Sequence, residues 1–287
     1  MSHDLSHSSK KKLATHMIDS IHQSTLSTFL RCGEQGRRRY VEGEKIPPGI
    51  AANRGTGVHA ANEINLRQKI VSRTDMVLSD LQDAARDGFV HACTENGVYL
   101  PPEDLPAKKR LLNAALNDTI RCTEQYRATV APLLQPVAVE EPFLIDIGLG
   151  LPLGGRMDSQ EDDSVQDLKS TAKAWNENKI RADIQDVFYT LAHEKTRGVR
   201  PRFDYHVLIA RRNKEGQPTS TDHQRFSTWP GEREYEALIA KIKVLLHMLK
   251  TGTFPPADPS HWICSILWCG FFQTCRYTSG KKVKYYT

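Results

Sequence analysis

Apolar and polar positions alternate with two different periods along this chain. Leu26, Phe29 and Leu30 recur at three and four residues, the spacing of one helical face, and Ser24 stands where a cap would, so a helix is predicted from Ser24. Pro47, Pro48 and Gly49 break the chain, and a second helix is predicted from near Arg54. Between residues 73 and 130, Val77, Leu78 and Leu81, then Leu111, Leu112, Ala115 and Leu116, keep helical spacing. Breaks at Gly97 and Pro101-Pro102 divide this stretch into two or three helices. After Pro136 the period falls to two, through Val137, Val139, Phe143, Ile145 and Ile147, and Gly148-Leu-Gly150 turns the strand into a hairpin partner from Leu151. A tight acidic turn from Gln160 to Asp163 leads into a strand over Val165 to Lys169. A helix bearing Gln185 and Tyr189, a strand over Phe203 to Ala210 and an amphipathic helix over Glu232 to Lys250 follow. Alternating strands and helices predict an α/β fold, a mixed central sheet flanked by helices.

The pattern divides the chain into a leader over residues 1–20 and one domain over 21–287. That domain comprises a helical part at 54–130, a core at 137–212, and a final helix with a cysteine-containing tail at 230–287. Lys10, Lys11 and Lys12 make the leader basic, and a flexible solvated tail is the preferred reading over a DNA-binding arm. With 287 residues and 39% hydrophobic content, the chain can bury one substantial core. Thirty-nine Lys and Arg against 34 Asp and Glu give a net charge of +5, which permits a polyanionic partner without requiring one. No run of 18 apolar residues occurs and the first residues lack the apolar middle of a signal peptide, so a cytoplasmic protein without membrane contact or structural disulfides is expected.

The chemistry concentrates between Leu151 and Tyr189. Side chains two apart on a strand share a face, so Asp167 and Lys169 emerge together while Gln166 and Leu168 point the other way. Asp158, on the preceding strand, can return to the same edge and share a divalent cation with Asp167; hard oxygen ligands suit Mg²⁺ or Mn²⁺. Gln185 and Tyr189 lie four apart on one helix face. Gly154 and Gly155, ahead of Asp158, let backbone approach or bend. His59 and Glu63 stand one helical turn apart, with Glu63 better read as a surface carboxylate. Glu141 is an additional ligand candidate whose preferred reading is an exposed hairpin residue.

The order G-x-x-D, D-x-K and Q-x-x-x-Y resembles the PD-(D/E)XK nucleases of the RecB and phage exonuclease type, with Asp167 as the variable acid. Gly55 and His59 fit the G-x-x-x-H motif that opens the core of RecB-like members. The resemblance implies a restriction-endonuclease-like core with a helical insertion. It also implies Mg²⁺ or Mn²⁺ held by Asp158, Asp167 and His59. Lys169 would position or help deprotonate water, and Gln185 and Tyr189 would orient the strand or Lys169. The implied activity is metal-dependent DNA hydrolysis, as an exonuclease in recombination, repair or phage DNA processing, with a single-strand annealing or recombination protein as partner. The alternative is a non-catalytic, metal-stapled DNA-binding or structural subunit of a recombination complex, although the acids and lysine are all retained.

Arg37, Arg38 and Arg39 before Tyr40, together with Lys173, are candidate phosphate contacts; a solvated helix end is the other reading of the arginines. Cys264, Cys269 and Cys275 lie close together near the end of the chain, which argues for metal. With Cys32 they repeat the one-plus-three layout of iron-sulfur RecB-like nucleases, which implies a [4Fe-4S] cluster. Zn²⁺, with His261 as a further ligand, and packed thiols remain open because thiolates alone do not fix the metal. Cys93 and Cys122 read as small buried hydrophobes.

Overall fold

The computed structural model describes residues 18–278, so Lys10 to Lys12 and most of the leader lie outside the described residues. The helices are α1 (Gln23–Arg31), α2 (Gly33–Gly36), α3 (Ile50–Ser72), α4 (Leu78–Glu95), α5 (Lys108–Thr129), α6 (Glu177–Ala182), α7 (Gln185–Arg197) and α8 (Glu232–Thr251). Five strands, β1 (Ala138–Ile145), β2 (Leu153–Gln160), β3 (Ser164–Thr171), β4 (Arg202–Arg212) and β5 (Pro218–Thr228), form one sheet in the order β1-β2-β3-β4-β5. Neighbours are antiparallel except β3 and β4, which run parallel. Parallel strands cannot be joined by a hairpin, and α6 and α7 make the crossover between them.

The sheet is covered on both faces. Val165, Phe203, Tyr205, Val207 and Ile209 pack with Phe29, Phe188, Leu238 and Ile242 of α1, α7 and α8. Leu168, Leu208 and Ala210, one residue out of phase, pack on the other face with Val58, Leu66, Leu81 and Tyr126 of α3 to α5. Each large apolar side chain buried here contributes about 1.5–3 kcal/mol. The β3–β4 pair is the sheet's centre, and its two-sided burial explains why both phases of these strands are apolar near their middle.

Two local expectations are corrected, and one strand is added. His22, not Ser24, precedes the first residue of α1, and the Ser24 carbonyl instead accepts the Thr28 hydroxyl at 2.8 Å. α3 begins at Ile50, directly after the Pro47-Pro48-Gly49 break. β5 is an added strand whose polar, half-exposed residues carry little apolar alternation. Among the described residues, no helix is long and apolar enough to cross a membrane.

Candidate active site and metal centre

β2 and β3 pair only at Ser159 with Gln166 and Gln160 with Val165, then diverge. Where the ladder stops, the Asp158 carboxylate accepts the Leu168 amide at 3.0 Å, so a side chain takes the place of a backbone carbonyl. The site is built in this gap. Asp167 lies fully inside, and Lys169 donates its ammonium to Asp167 at 2.9 Å and to Gln185 Oε1 at 2.6 Å. Gln185 opens α7, and its amide also donates to Asp167 Oδ1. Asp167 Oδ2 lies near Lys169 Nζ but has no hydrogen-bond partner, leaving a buried acceptor open. Burial pushes the Asp167 pKa above the usual carboxylate range. Burial opposes the charge on Lys169, but Asp167 and Asp158 outweigh it and raise its pKa.

From the other side of the gap, α3 brings His59, whose Nδ1 stands 3.4 Å from Asp158 Oδ2. Glu140 completes a half-buried trio: ligand atoms of His59, Glu140 and Asp158 all lie within 4.8 Å of one another. Glu140 has φ of +50° inside β1, a left-handed conformation that costs a non-glycine residue energy. The ladder pairs Val139 and Glu141 on either side but not Glu140, whose carboxylate is turned toward Asp158 and His59 instead. Burial, with Asp158 adding to it, raises the Glu140 pKa to about 7. A cation would relieve that penalty, and around one with ligand distances of about 2.1 Å neighbouring ligands stand roughly 3–4 Å apart. The trio therefore fits a divalent ion with modest adjustment.

Tyr189 sits one turn beyond Gln185, its ring edge-on to Phe143 at 5.9 Å. Phe143 is the cross-strand partner of Gly155, and a Cβ at Gly155 would come within 2.6 Å of its ring and 3.4 Å of Tyr189. The glycine of G-x-x-D thus makes room for the aromatic group that holds Tyr189. Glu63 pairs with Arg67 at 2.8 Å, and Glu141 with Arg197, outside the trio. Glu140 was not singled out by the sequence, in which Glu140-Glu141-Pro142 reads as hairpin surface; only the acidic pair in a strand hinted at it.

The arginine cluster divides. Arg37 is held by Glu34 at 2.8 Å and by Glu42, and Arg38 by Glu44 at 2.8 Å with further bonds to Thr274 and Phe271. Arg37 is thus engaged within its own segment, while Arg38 also ties that segment to the tail. Arg39 is exposed over Tyr40, and Lys173 is exposed beyond β3.

Cys32, Cys264, Cys269 and Cys275 line one cavity of about 230 Å³ with Ile263 and Phe272. Cys32 Sγ accepts backbone amides of Gln35 at 3.5 Å and Ala257 at 3.3 Å, and burial raises the pKa of Cys264 and Cys269. Among the described residues no three of these sulfurs lie within 4.8 Å of one another, whereas a tetrahedral zinc sets its sulfurs about 3.8 Å apart. His261 Nδ1 accepts the Ile263 amide at 3.2 Å. Cys122 is buried among α3 to α5, and Cys93 meets Asn53 at 3.4 Å, both outside this cavity.

No protein-family profile and no curated protein matches this chain. Among solved structures it is similar to one described as a putative exonuclease from Eubacterium rectale, at 12% identity and a TM-score of 0.56, over 100% of this chain and 97% of the other. That likeness supports a nuclease-like fold, a five-stranded mixed sheet between layers of helices.

Proposed function

We propose that this chain is a metal-dependent DNA nuclease that removes nucleotides from DNA ends. The observation that carries the reading is the meeting, in one gap between β2 and β3, of the His59–Glu140–Asp158 trio with the buried Asp167–Lys169–Gln185 cluster and its open Asp167 oxygen. His59, Glu140, Asp158 and Asp167 would hold Mg²⁺ or Mn²⁺, and the imidazole favours Mn²⁺ of the two. A cation bound there would supply Lewis-acid polarisation of the scissile phosphate and stabilise the leaving oxygen. Lys169 is pinned by Asp167 and Gln185, so its ammonium needs no reorganisation to meet charge developing on the phosphate or to orient water. Tyr189 packs behind this cluster, and Arg39 and Lys173 are exposed cations suited to backbone phosphates. Digestion of end-labelled linear and circular DNA, single- and double-stranded, with Mg²⁺ or Mn²⁺ tests the proposal. Loss from linear ends only, abolished by Asp167→Asn and Lys169→Met, is expected. Undiminished cutting by either variant would overturn the assignment.

Cys32 and the three tail thiols Cys264, Cys269 and Cys275 line one cavity, and we propose that they hold a second metal centre, a [4Fe-4S] cluster with Zn²⁺ as the alternative. Its chemistry here would be structural, tying α1 and α2 to the tail across more than two hundred residues of chain. Protein purified without oxygen should contain iron and absorb near roughly 400 nm. Cys269→Ser should release the iron while Cys93→Ser retains it. Colourless protein with stoichiometric zinc would restore the zinc reading.

A further inference from the structure

A cleft of about 810 Å³ opens at the start of α3, between that helix end with Tyr99 to Pro101 and the tail from Ile263 to Phe271. The Tyr99 hydroxyl donates to the Ile266 carbonyl at 2.6 Å and ties the two walls together. Arg212, at its edge, is committed to Asp118 at 2.9 Å. Arg31, Arg39 and Arg54 also line it, and among the described residues none of them has a carboxylate partner. Arg54 is only 9% exposed; its Nη2 donates to the Ser170 carbonyl at 3.2 Å, and its Nε has no partner. A buried guanidinium with an unused donor calls for an anion.

The N-terminus of α3, a helix of 23 residues, opens into the same cleft at Gly49 to Ala52. Helix dipole and first-turn amides there favour a phosphate. On the tail wall, Trp268 leaves 61% of its surface exposed and offers a ring for stacking. The cleft lies beside the active site: Arg54 touches the residue after Lys169, and Ile50 stands roughly 13 Å along the helix from His59.

We infer that this cleft is the track for a single DNA strand continuing from the active site. Its phosphates would meet the α3 N-terminus, Arg54 and Arg39, and a base would stack on Trp268. The inference rests on the nuclease reading for what the strand does next, but its binding does not depend on cutting. On this reading the enzyme would hold one strand of an end at a time.

Fluorescence anisotropy with a labelled 12-nucleotide oligothymidylate, no divalent cation added, tests it. Ala51→Asp places a carboxylate on an exposed first-turn position, where it favours the helix and opposes a phosphate. This variant should melt no lower than wild type yet bind the strand at least tenfold more weakly. Arg39→Gln should lower the slope of log affinity against log salt by about 0.7, and Trp268→Ala should weaken binding about fivefold or more with the slope kept. A blunt 12-base-pair duplex should be indifferent to Ala51→Asp. Wild-type strand affinity in Ala51→Asp, or an equal loss of duplex binding, would overturn the track. If wild type cuts no DNA while Ala51→Asp still loses strand affinity, the nuclease reading fails and the track stands. If wild type cuts DNA while Ala51→Asp keeps full strand affinity, the track fails and the nuclease reading stands.

Discussion

Removing one partner of the Asp167–Lys169 pair should cost more stability than removing both. Asp167 is 1% exposed and Lys169 27%, so neither charge is fully solvated once the other is gone. Breaking a buried pair costs about 3–5 kcal/mol in well-enclosed cases. Partial solvent screening of Lys169 brings the expected loss for Asp167→Leu to about 2 kcal/mol. In Lys169→Met, Asp167 keeps only the Gln185 amide, beside the Asp158 carboxylate, and escapes by protonation. Its folded pKa, already raised by burial, rises further above the unfolded value of about 3.9. The sign follows: the folded state holds a proton that the unfolded chain releases, so this variant is most stable in acid and loses up to about 1.4 kcal/mol per pH unit from about pH 4 to its folded pKa. Asp167→Leu/Lys169→Met, apolar and similar in volume, should recover most of the loss while remaining inactive. Urea unfolding of the four proteins at pH 5 and pH 7.5, in chelator so that no cation contributes, measures every term. Additive single losses, or Lys169→Met stability equal at the two pH values, would refute the reasoning that the pair is a buried, coupled unit.

Three further outcomes follow from neighbouring geometry. Glu140→Gln should raise the Mn²⁺ concentration for half-saturation at least tenfold by calorimetry, while Glu141→Gln, whose carboxylate serves Arg197, should leave it unchanged. Gly155→Ala should lower stability by about 1–3 kcal/mol and reduce activity, because Phe143 must move and carries Tyr189 with it; Phe143→Leu in the same chain should restore the urea midpoint. His206 is buried between Gln166 Oε1 at 3.0 Å and His223 Nε2 at 3.1 Å, and burial depresses its pKa to about 3. It stays neutral in the fold while the unfolded chain takes up a proton below about pH 6.5, so stability falls with acid, and His206→Gln should reduce that slope between pH 6 and 4 by up to one proton. An unchanged slope would place the acid sensitivity elsewhere.

The strand-helix-strand core was readable because each element there obeys one period, and β3 in particular exposes its logic: Asp167 and Lys169 are two residues apart and Gln185 opens the helix that returns to them. α3 was only half readable. Its buried face mixes Val58, Ala61 and Leu66 with Asn53, Arg54, Asn62, Asn65 and Lys69, the polar ones making bonds such as Asn65 to Tyr126 at 2.9 Å and Lys69 to Asp75 at 2.9 Å. Periodicity of hydrophobic residues cannot report a face whose burial is offset by hydrogen bonds. Glu140 was hidden for another reason: its role depends on a left-handed backbone turn inside a strand, and no residue type announces that in advance. Arg37 and Arg38 illustrate the opposite case. Their sequence suggests phosphates, and the carboxylates Glu34, Glu42 and Glu44 within a few residues, which engage both guanidinium groups, were not weighed against it.

The divided origin of the site bears on which of its parts can come apart independently. Asp158, Asp167, Lys169 and Gln185 come from adjoining segments and can gather as soon as β2, β3 and α7 associate. His59 arrives only when α3 docks across β1 and β3, a closure over roughly a hundred residues of intervening chain that loop entropy makes slower. The cation trio is therefore complete only where the helical layer closes over the sheet: loosening of α3 would take His59 away from Asp158 and Glu140 while leaving the Asp167–Lys169–Gln185 cluster in place.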